Sequence, residues 1–291
     1  MNPSFNTIAL IGKHKNPEIG APLLHLAEYL TAKHFQVLLD HLTASNIDGD
    51  HQYTIMSLEE IGTRADLAVV MGGDGTMLNI ARMLVSYDVP LIGINLGRLG
   101  FLTDLSLDTM LETLEEMLAG HYITERRMLL YAEIVRDGVY VFSSLALNDV
   151  VLYRGVSSGM IEFDVTVNKE YVNTLRSDGL IVATPTGSTA YALSSGGPIL
   201  HPSLDLIALV PVCPHTLSNR PIVIGSDASV EIRMHSSPNM RINCDSHAYF
   251  DLEQTDSIVV RRYPKTVRLL HPVNHSYYRM LREKLGWSEL P

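Results

Sequence analysis

Near Glu125 the hydrophobic pattern of this chain changes period, and few folds accommodate such a change within 291 residues. From Thr7 to about Gly120, short apolar runs alternate with stretches of helical spacing, which is how a parallel sheet with crossover helices reads in sequence. The strand candidates are Ile8 to Ile11, Val37 to Leu39, Leu67 to Met71 and Leu91 to Ile94. Between them Leu23, Leu26, Ala27 and Leu30 share one helical face, and Ser57 with Glu60 spells a capping box before Ile61. A further stripe, Met110, Leu111, Leu114, Met117 and Leu118, closes on Gly120 as a C-terminal cap. Beyond Glu125 the period is two: Ile161, Phe163, Val165 and Val167 alternate with Glu162, Asp164, Thr166 and Asn168. Asp137-Gly138 reads as a hairpin turn, and Val230, Ile232, Met234, Ile242 and Cys244 continue the alternation. Tyr277, Met280, Leu281 and Leu285 then give one last helical face. The expected division is an α/β domain over 1–124, an all-β domain over 125–272, and a helix over 273–291 packed back on the N-terminal domain.

Composition narrows the function classes. Hydrophobic residues at 46% and charged residues at 19% exclude a disordered chain. The net charge of -10 argues against a sequence-independent grip on nucleic acid or on an anionic membrane surface. No apolar run is long enough to span a bilayer, and Met1 to Thr7 lacks the basic start of a secretory leader. The two cysteines, Cys213 and Cys244, have neither zinc spacing nor a disulfide framework, so the cytoplasm is the expected compartment. The 12 histidines show no metal-ligand spacing, and no metal site is read from the sequence. Asp48-Gly-Asp50-His51 reads as a polar turn.

The sharpest chemical signal is Gly72-Gly73-Asp74-Gly75-Thr76, set between the apolar run Leu67 to Met71 and the helical spacing of Met77, Leu78, Ala81 and Leu84. Glycines let the backbone approach a ligand closely, and the free amides at a helix start point at phosphate oxygens. A carboxylate inside such a loop costs Coulomb energy beside phosphates unless it serves as a base, orients a hydroxyl or helps hold a cation. The bland alternative is a turn whose glycines merely pack. Neither G-x-G-x-x-G nor G-x-x-x-x-G-K-[ST] occurs, which disfavours a dehydrogenase or a P-loop enzyme. A second flexible turn, Gly93-Ile-Asn95-Leu-Gly97-Arg98-Leu-Gly100, follows the next strand at the same sheet edge, where open α/β sheets bind ligands.

Three segments of the β region stand out: Asn148-Asp149, Arg176-Ser-Asp178-Gly179, and Thr184 through Tyr191. The last is rich in hydroxyls and offers Tyr191 as a ring to stack on. By composition alone the favoured reading is a Ser/Thr-rich loop entering a helix through Ser188. Gly155-Val-Ser157-Ser-Gly159 matches a serine-nucleophile elbow in letters, but a strand pattern follows where an elbow needs a helix.

In this order, Gly72-Gly-Asp-Gly75, Gly93-Ile-Asn-x-Gly97-x-Leu-Gly-Phe-Leu102, Asn148-Asp149, Arg176-Ser-Asp-Gly179, Thr184-Pro-Thr-Gly-Ser-Thr-Ala-Tyr191 and Gly196-Gly-Pro198 resemble the NAD kinase family over nearly the whole chain. The tail Leu285-Gly-Trp287-Ser288 is similar to Gram-negative bacterial members. The resemblance implies an α/β N-terminal nucleotide-binding domain with a parallel, Rossmann-like sheet, plus an all-β C-terminal domain that binds NAD. It implies ATP and NAD as substrates, a divalent cation, expected to be Mg²⁺, and a homo-oligomer, tetramer or dimer. By the same likeness Asp74 is the proton acceptor, and the amides of Gly73, Gly75 and Thr76 would stabilise charge on the phosphoryl oxygens. Asn148 and Asp149 would hold the adenosine part, Asp178 the nicotinamide part, and Thr189, Ala190, Tyr191, Ala192, Leu193 and Ser194 would line the pocket. Arg176 is a candidate for discriminating NAD from NADH. The family usually carries Asn-Glu where this chain has Asn148-Asp149, and Gly159 and His247 stand where relatives carry His and Gln. A non-catalytic NAD-binding regulator and a lipid kinase of the diacylglycerol kinase type are the alternatives. The latter shares the Gly-Gly-Asp-Gly loop without the β-region pattern.

Overall fold

A computed structural model describes residues 5–14, 16–47, 52–155, 159–216, 218–236 and 239–287. The polar turn read at Asp48 to His51, the interior of the Gly155 to Gly159 match and Ser288 lie outside the described residues. The chain forms two units, Met1–Arg126 with Val267–Pro291, and Arg127–Thr266.

The first unit is α/β. Strands β1 (Thr7–Gly12), β2 (Gln36–Asp40), β3 (Thr54–Met56), β4 (Leu67–Met71) and β5 (Leu91–Asn95) alternate with helices α1 (Gly20–Ala32), α2 (His41–Ala44), α3 (Leu58–Arg64) and α4 (Asp74–Leu84). The strands pair in parallel in the order β3-β2-β1-β4-β5, with Ile8 opposite both Val37 and Leu67. Every residue of β4 and β5 is buried, as the unbroken apolar runs Leu67 to Met71 and Leu91 to Ile94 require of parallel strands covered on both faces. The capping box at α3 is present in full: Ser57 Oγ accepts from the Glu60 amide, and the Glu60 carboxylate accepts from the Ser57 amide. A short β6 (Leu105–Ser106) pairs with β5, and α5 (Met110–Leu118) buries Met110, Leu114 and Met117 before Gly120 turns at φ 99°. This topology leaves both glycine turns, after β4 and after β5, at the carboxyl ends of adjacent strands.

The second unit is all-β apart from a one-turn helix. After β7 (Tyr122–Arg136), Asp137 and Gly138 take φ 49° and 80° and return the chain as β8 (Val139–Ala146), the turn type that Asp-Gly favours. Strands β9 (Asp149–Arg154), β10 (Ile161–Val167), β11 (Glu170–Ser177) and β12 (Gly179–Ala183) lead to α6 (Tyr191–Ser194). Strands β13 (Leu206–Val212), β14 (Ile222–Gly225), β15 (Val230–Ser236), β16 (Met240–Cys244), β17 (Ala248–Leu252) and β18 (Ser257–Pro272) complete it. One antiparallel sheet runs β14-β13-β12-β9-β16-β17, while β11-β10-β15-β18 pair antiparallel in another. The apolar partners of the period-two pattern, among them Phe163, Val165, Ile232 and Ile242, form one buried cluster.

The last residues of β18 belong to the first unit, where Leu269 pairs in parallel with Leu91 of β5. Helix α7 (Tyr277–Leu285) follows, capped by Ser276 Oγ on the Arg279 amide and ended by Gly286 at φ 66°. It buries Tyr277, Met280 and Leu281, and its Lys284 ammonium sits 5.9 Å from the centre of the Phe101 ring. The C-terminal helix thus packs back on the N-terminal α/β part. Among the described residues, no helix is long and apolar enough to cross a membrane.

Candidate active site

In the first unit, the strand-turn-helix at Gly72 separates two kinds of glycine. A Cβ on Gly72 would lie 2.7 Å from Thr76 Oγ1, so this glycine is demanded by packing within the turn. A Cβ on Gly73 or Gly75 would meet nothing within 4 Å. Both positions are exposed, and Gly73 has φ -95°, a value open to any residue. Neither packing nor backbone conformation requires those two glycines, whereas a ligand approaching the backbone there would.

Asp74, half-buried at the start of α4, is held from the second turn. Its Oδ2 accepts from the Phe101 amide at 2.9 Å and its Oδ1 from the Leu102 amide at 2.9 Å, with Thr103 Oγ1 at 3.5 Å. The carboxylate is therefore fixed in direction by backbone donors. Gly100 makes the approach possible, since a Cβ there would lie 2.2 Å from Asp74 Oδ1 and 2.3 Å from Thr103 Oγ1. Asn95 braces the same turn by donating to Leu105 O at 2.9 Å and accepting from the Gly97 amide at 3.1 Å. The two glycine turns thus form one device that presents a single oriented carboxylate beside open backbone.

In the second unit, Asn148 and Asp149 open β9. The Asp245 carboxylate accepts from three successive amides, Leu147 at 2.7 Å, Asn148 at 2.8 Å and Asp149 at 3.0 Å. Asp245 and Ser246 take φ 50° and 54° in the turn joining β16 to β17, and the Asp245 amide returns a bond to Asp149 O at 3.0 Å. Asp149 itself is 5% exposed, and no hydrogen bond to its carboxylate occurs among the described residues. Burial, with a smaller contribution from the Asp245 charge, pushes its carboxyl up to about 7. From the other side Thr184 donates to Asn148 O through its amide and to Leu147 O through its hydroxyl. A Cβ on Gly187 would lie 2.1 Å from Asn148 O.

The remaining predicted residues divide. Tyr191 is half-exposed, and burial, with smaller contributions from the charges of Cys213, Asp178 and Asp149, raises its hydroxyl pKa. Asp178 lies 3.6 Å from Arg154 Nε. Thr189, Ala190 and Leu193 are half-buried and Ser194 is exposed. Ala192 is fully buried among Val151, Ile181, Leu200 and Val210, so its methyl group serves the core. The hydroxyls of Thr184 and Ser188 are spent on the backbone of Leu147, Pro185 and Leu200. Arg176 is exposed on β11, opposite Glu162. His247 is exposed just after the Asp245 turn, and Gly159 takes φ 108° while accepting from Arg154. Sequence reasoning did not pick out Asp245 or the Phe101 and Leu102 amides.

A parallel sheet ending in a glycine turn with open amides and one oriented carboxylate, on a chain with an all-β second unit, defines a phosphotransferase that works on a nucleotide. Residues 26–122 match the ATP-NAD kinase N-terminal domain and residues 147–271 the ATP-NAD kinase C-terminal domain. The chain belongs to the NAD kinase family. It is 68% identical to an NAD kinase of Nitrosomonas eutropha over 98% of this chain and 96% of that protein. It is 52% identical to an NAD kinase of Aromatoleum aromaticum over 100% and 97%. Among solved structures it is similar to a yeast NADH kinase complexed with NADH, with a TM-score of 0.90 and 25% identity, covering 100% of this chain and 90% of that one. An Archaeoglobus fulgidus NAD kinase in complex with ATP gives 0.76 and 25%, covering 96% and 98%.

Proposed function

We infer that this chain transfers the γ-phosphoryl group of ATP to the 2′-hydroxyl of the adenosine ribose of NAD, giving NADP and ADP. Full-length similarity to NAD kinases carries the reaction, and nothing in the comparisons supports a regulator or a lipid kinase. Asp74 carries the chemistry. With Oδ1 shared by the Leu102 amide and Thr103 Oγ1, Oδ2 keeps a further lone pair beside the Phe101 amide, so it can orient a ribose hydroxyl and take the proton. A carboxylate is a weak base for an alcohol. In a loose phosphoryl-transfer transition state the nucleophile keeps its proton until late, so direction matters more than basicity. The amides of Gly73 and Gly75 stabilise charge on the phosphoryl oxygens, whereas the Thr76 amide is already given to Gly73 O at 3.0 Å.

A divalent cation fits this donor set. Mg²⁺ is held by one or two carboxylates together with substrate phosphates, and Asp74 is the carboxylate available at the turn. When bound, the cation neutralises charge on the phosphates of ATP. Asn148 and Asp149 take the adenosine part of NAD, Asp178 the nicotinamide part, and Tyr191 supplies a stacking face. Arg176 is the candidate for telling NAD from NADH, and the ratio of kcat/KM for the two acceptors in Arg176→Gly tests it. An unchanged ratio removes it from the specificity argument. A cytoplasmic homo-oligomer, dimer or tetramer, completes the reading on family resemblance.

The observation that carries the mechanism is the Asp74 carboxylate gripped by two amides beside two glycines that the protein's own packing does not require. The test is NADP formation from purified protein, NAD, ATP and Mg²⁺. Binding of NAD without turnover would return the regulator, and phosphorylation of a lipid in place of NAD would return the lipid kinase.

A further inference from the structure

Three side chains of the first unit converge away from the open glycines. Asp104 ends the turn that holds Asp74, His271 lies near the end of β18, and His275 follows a turn closed by its own amide on Pro272 O at 2.9 Å. Asp104 Oδ2 is 3.0 Å from His271 Nδ1 and 2.7 Å from His275 Nδ1. The two imidazole rings stack with centroids 4.0 Å apart. The side chains of Asp104, His271 and His275 are only 8%, 1% and 8% exposed. On its far side His271 Nε2 lies 3.2 Å from Glu125 Oε2 without forming a hydrogen bond among the described residues. Asp104 Oδ1 is buried and has no hydrogen-bond partner among the described residues.

We propose that Asp104, His271 and His275 bind a divalent transition-metal ion of the zinc type. As hydrogen-bond donors the two imidazoles share one oxygen and leave Asp104 Oδ1 without a partner. As lone-pair donors all three groups face one point. Their ligand atoms lie within 4.8 Å of one another. A tetrahedral shell with bonds of about 2.0–2.1 Å sets ligand atoms about 3.3 Å apart, so small side-chain rotations close the site and leave a fourth position for water. Glu125, 3.2 Å from His271 Nε2, is near enough for a side-chain rotation to let it fix the second nitrogen of a metal-bound imidazole. Two imidazoles with one carboxylate suit zinc and its neighbours, whereas Mg²⁺ takes oxygen ligands. The site is therefore distinct from the cation that accompanies ATP. Its position makes it a structural clamp, because the ion ties the end of β18 and the approach to α7 to the turn whose amides hold Asp74.

The experiment uses the full chain, stripped with a chelator and supplied with Zn²⁺ or Co²⁺ alone, without nucleotide. Wild type is expected to retain one zinc per chain after desalting, to show the visible absorption of low-coordinate Co²⁺, and to melt at higher temperature with zinc than without. His271→Ala and His275→Ala should each weaken zinc by more than tenfold and lose the cobalt spectrum. Glu125→Gln should keep the stoichiometry with affinity about 10–100-fold lower. His25→Ala, exposed on α1, should match wild type, and millimolar Mg²⁺ should not displace the ion. Failure of wild type to take up either metal overturns the proposal, as does uptake undiminished in both histidine variants. Should a variant not fold, wild-type stoichiometry and the cobalt spectrum still decide. None of these readouts depends on turnover, so failure here leaves the kinase assignment standing.

Discussion

Two aspartates, one in each unit, open regular elements beside glycine-bearing loops and are treated in opposite ways. Asp74 receives two backbone amides and remains half-exposed, so its charge is supported and its direction fixed. Asp149 is buried with no donor to its carboxylate, while the adjacent Asp245 takes the three amides nearest to it. The first arrangement suits a group that acts on a proton during reaction. The second suits a group waiting for a donor from outside, such as a ligand hydroxyl or amine, because an unpartnered buried carboxylate gains most from one. In the proposed reading the chain supports the charge of the carboxylate assigned to the reaction and leaves the one assigned to binding unsatisfied.

Asp74→Asn breaks this comparison with the largest expected effect. Loss of a general base costs about 10² to 10⁴ in rate, so kcat should fall by that factor while the dissociation constant of NAD changes little. The substitution is not isosteric in its hydrogen bonding, because the new NH₂ group must face the Phe101 or Leu102 amide, donor against donor. Asp74→Ala serves as the partner experiment. If both variants form NADP at the wild-type rate in a single-turnover assay, Asp74 is a structural cap and the mechanism is wrong.

The comparison sharpens through pH. A carboxyl raised to about 7 in the folded chain holds its proton where the unfolded chain has lost it. Its contribution is therefore complete below about pH 4, the ordinary aspartate range, and disappears as pH rises toward about 7. Asp149→Asn should remove this slope, which is worth on the order of a few kcal/mol, and should be more stable than wild type at pH 8. Urea midpoints between pH 4 and 8 measure it, and parallel curves for the two proteins would show that Asp149 is ionised throughout. Gly100→Ala comes next in size. Its methyl group would sit 2.2 Å from Asp74 Oδ1, and displacing a reacting group by about 1 Å can cost about 10²-fold. The expected signature is a fall in kcat with KM for NAD nearly unchanged, and unaltered steady-state constants would show that the turn does not position Asp74.

What the sequence made legible, and what it hid, follows from how each group acts. Gly72 to Gly75 could be read because glycine identity itself marks a turn, and because the apolar runs on either side fix strand and helix. The grip on Asp74 could not, since Phe101 and Leu102 contribute amides that any residue possesses; only Gly100 hints at a close approach. Asp245 was within reach as a turn residue between the alternating stretches around Cys244 and Tyr249, but its bonds reach back 96 to 98 positions, and such pairing has no local signature. The hydroxyl-rich run was legible as a loop entering a helix, the reading its composition favours. Thr184 and Ser188 look like ligand donors by residue type, yet both are buried and bonded to backbone. The parallel pairing of Leu269 with Leu91 escaped for the same reason as Asp245. The short β3 and β6, of three and two residues, are below the length at which a period can be counted.

The smallest expected effect belongs to Tyr191, where ring and hydroxyl can be separated. The ring is half-exposed on a one-turn helix, and burial with the charges of Cys213, Asp178 and Asp149 raises the hydroxyl pKa. If the ring serves as a stacking face for a base or nicotinamide, Tyr191→Ala should raise KM for NAD by roughly fivefold to tenfold, since such contacts contribute about 0.5–1.5 kcal/mol or somewhat more. Tyr191→Phe keeps the ring and should raise KM by less than Tyr191→Ala does, because a hydroxyl on a half-exposed side chain exchanges its hydrogen bond with water. Neither variant should alter kcat, as the ring stays clear of the transferring group in this reading. The reverse ranking, with Phe as damaging as Ala, would move the weight from the aromatic face to the hydroxyl. It would also make the carboxylates of Asp149 and Asp178 partners of Tyr191 rather than of the substrate.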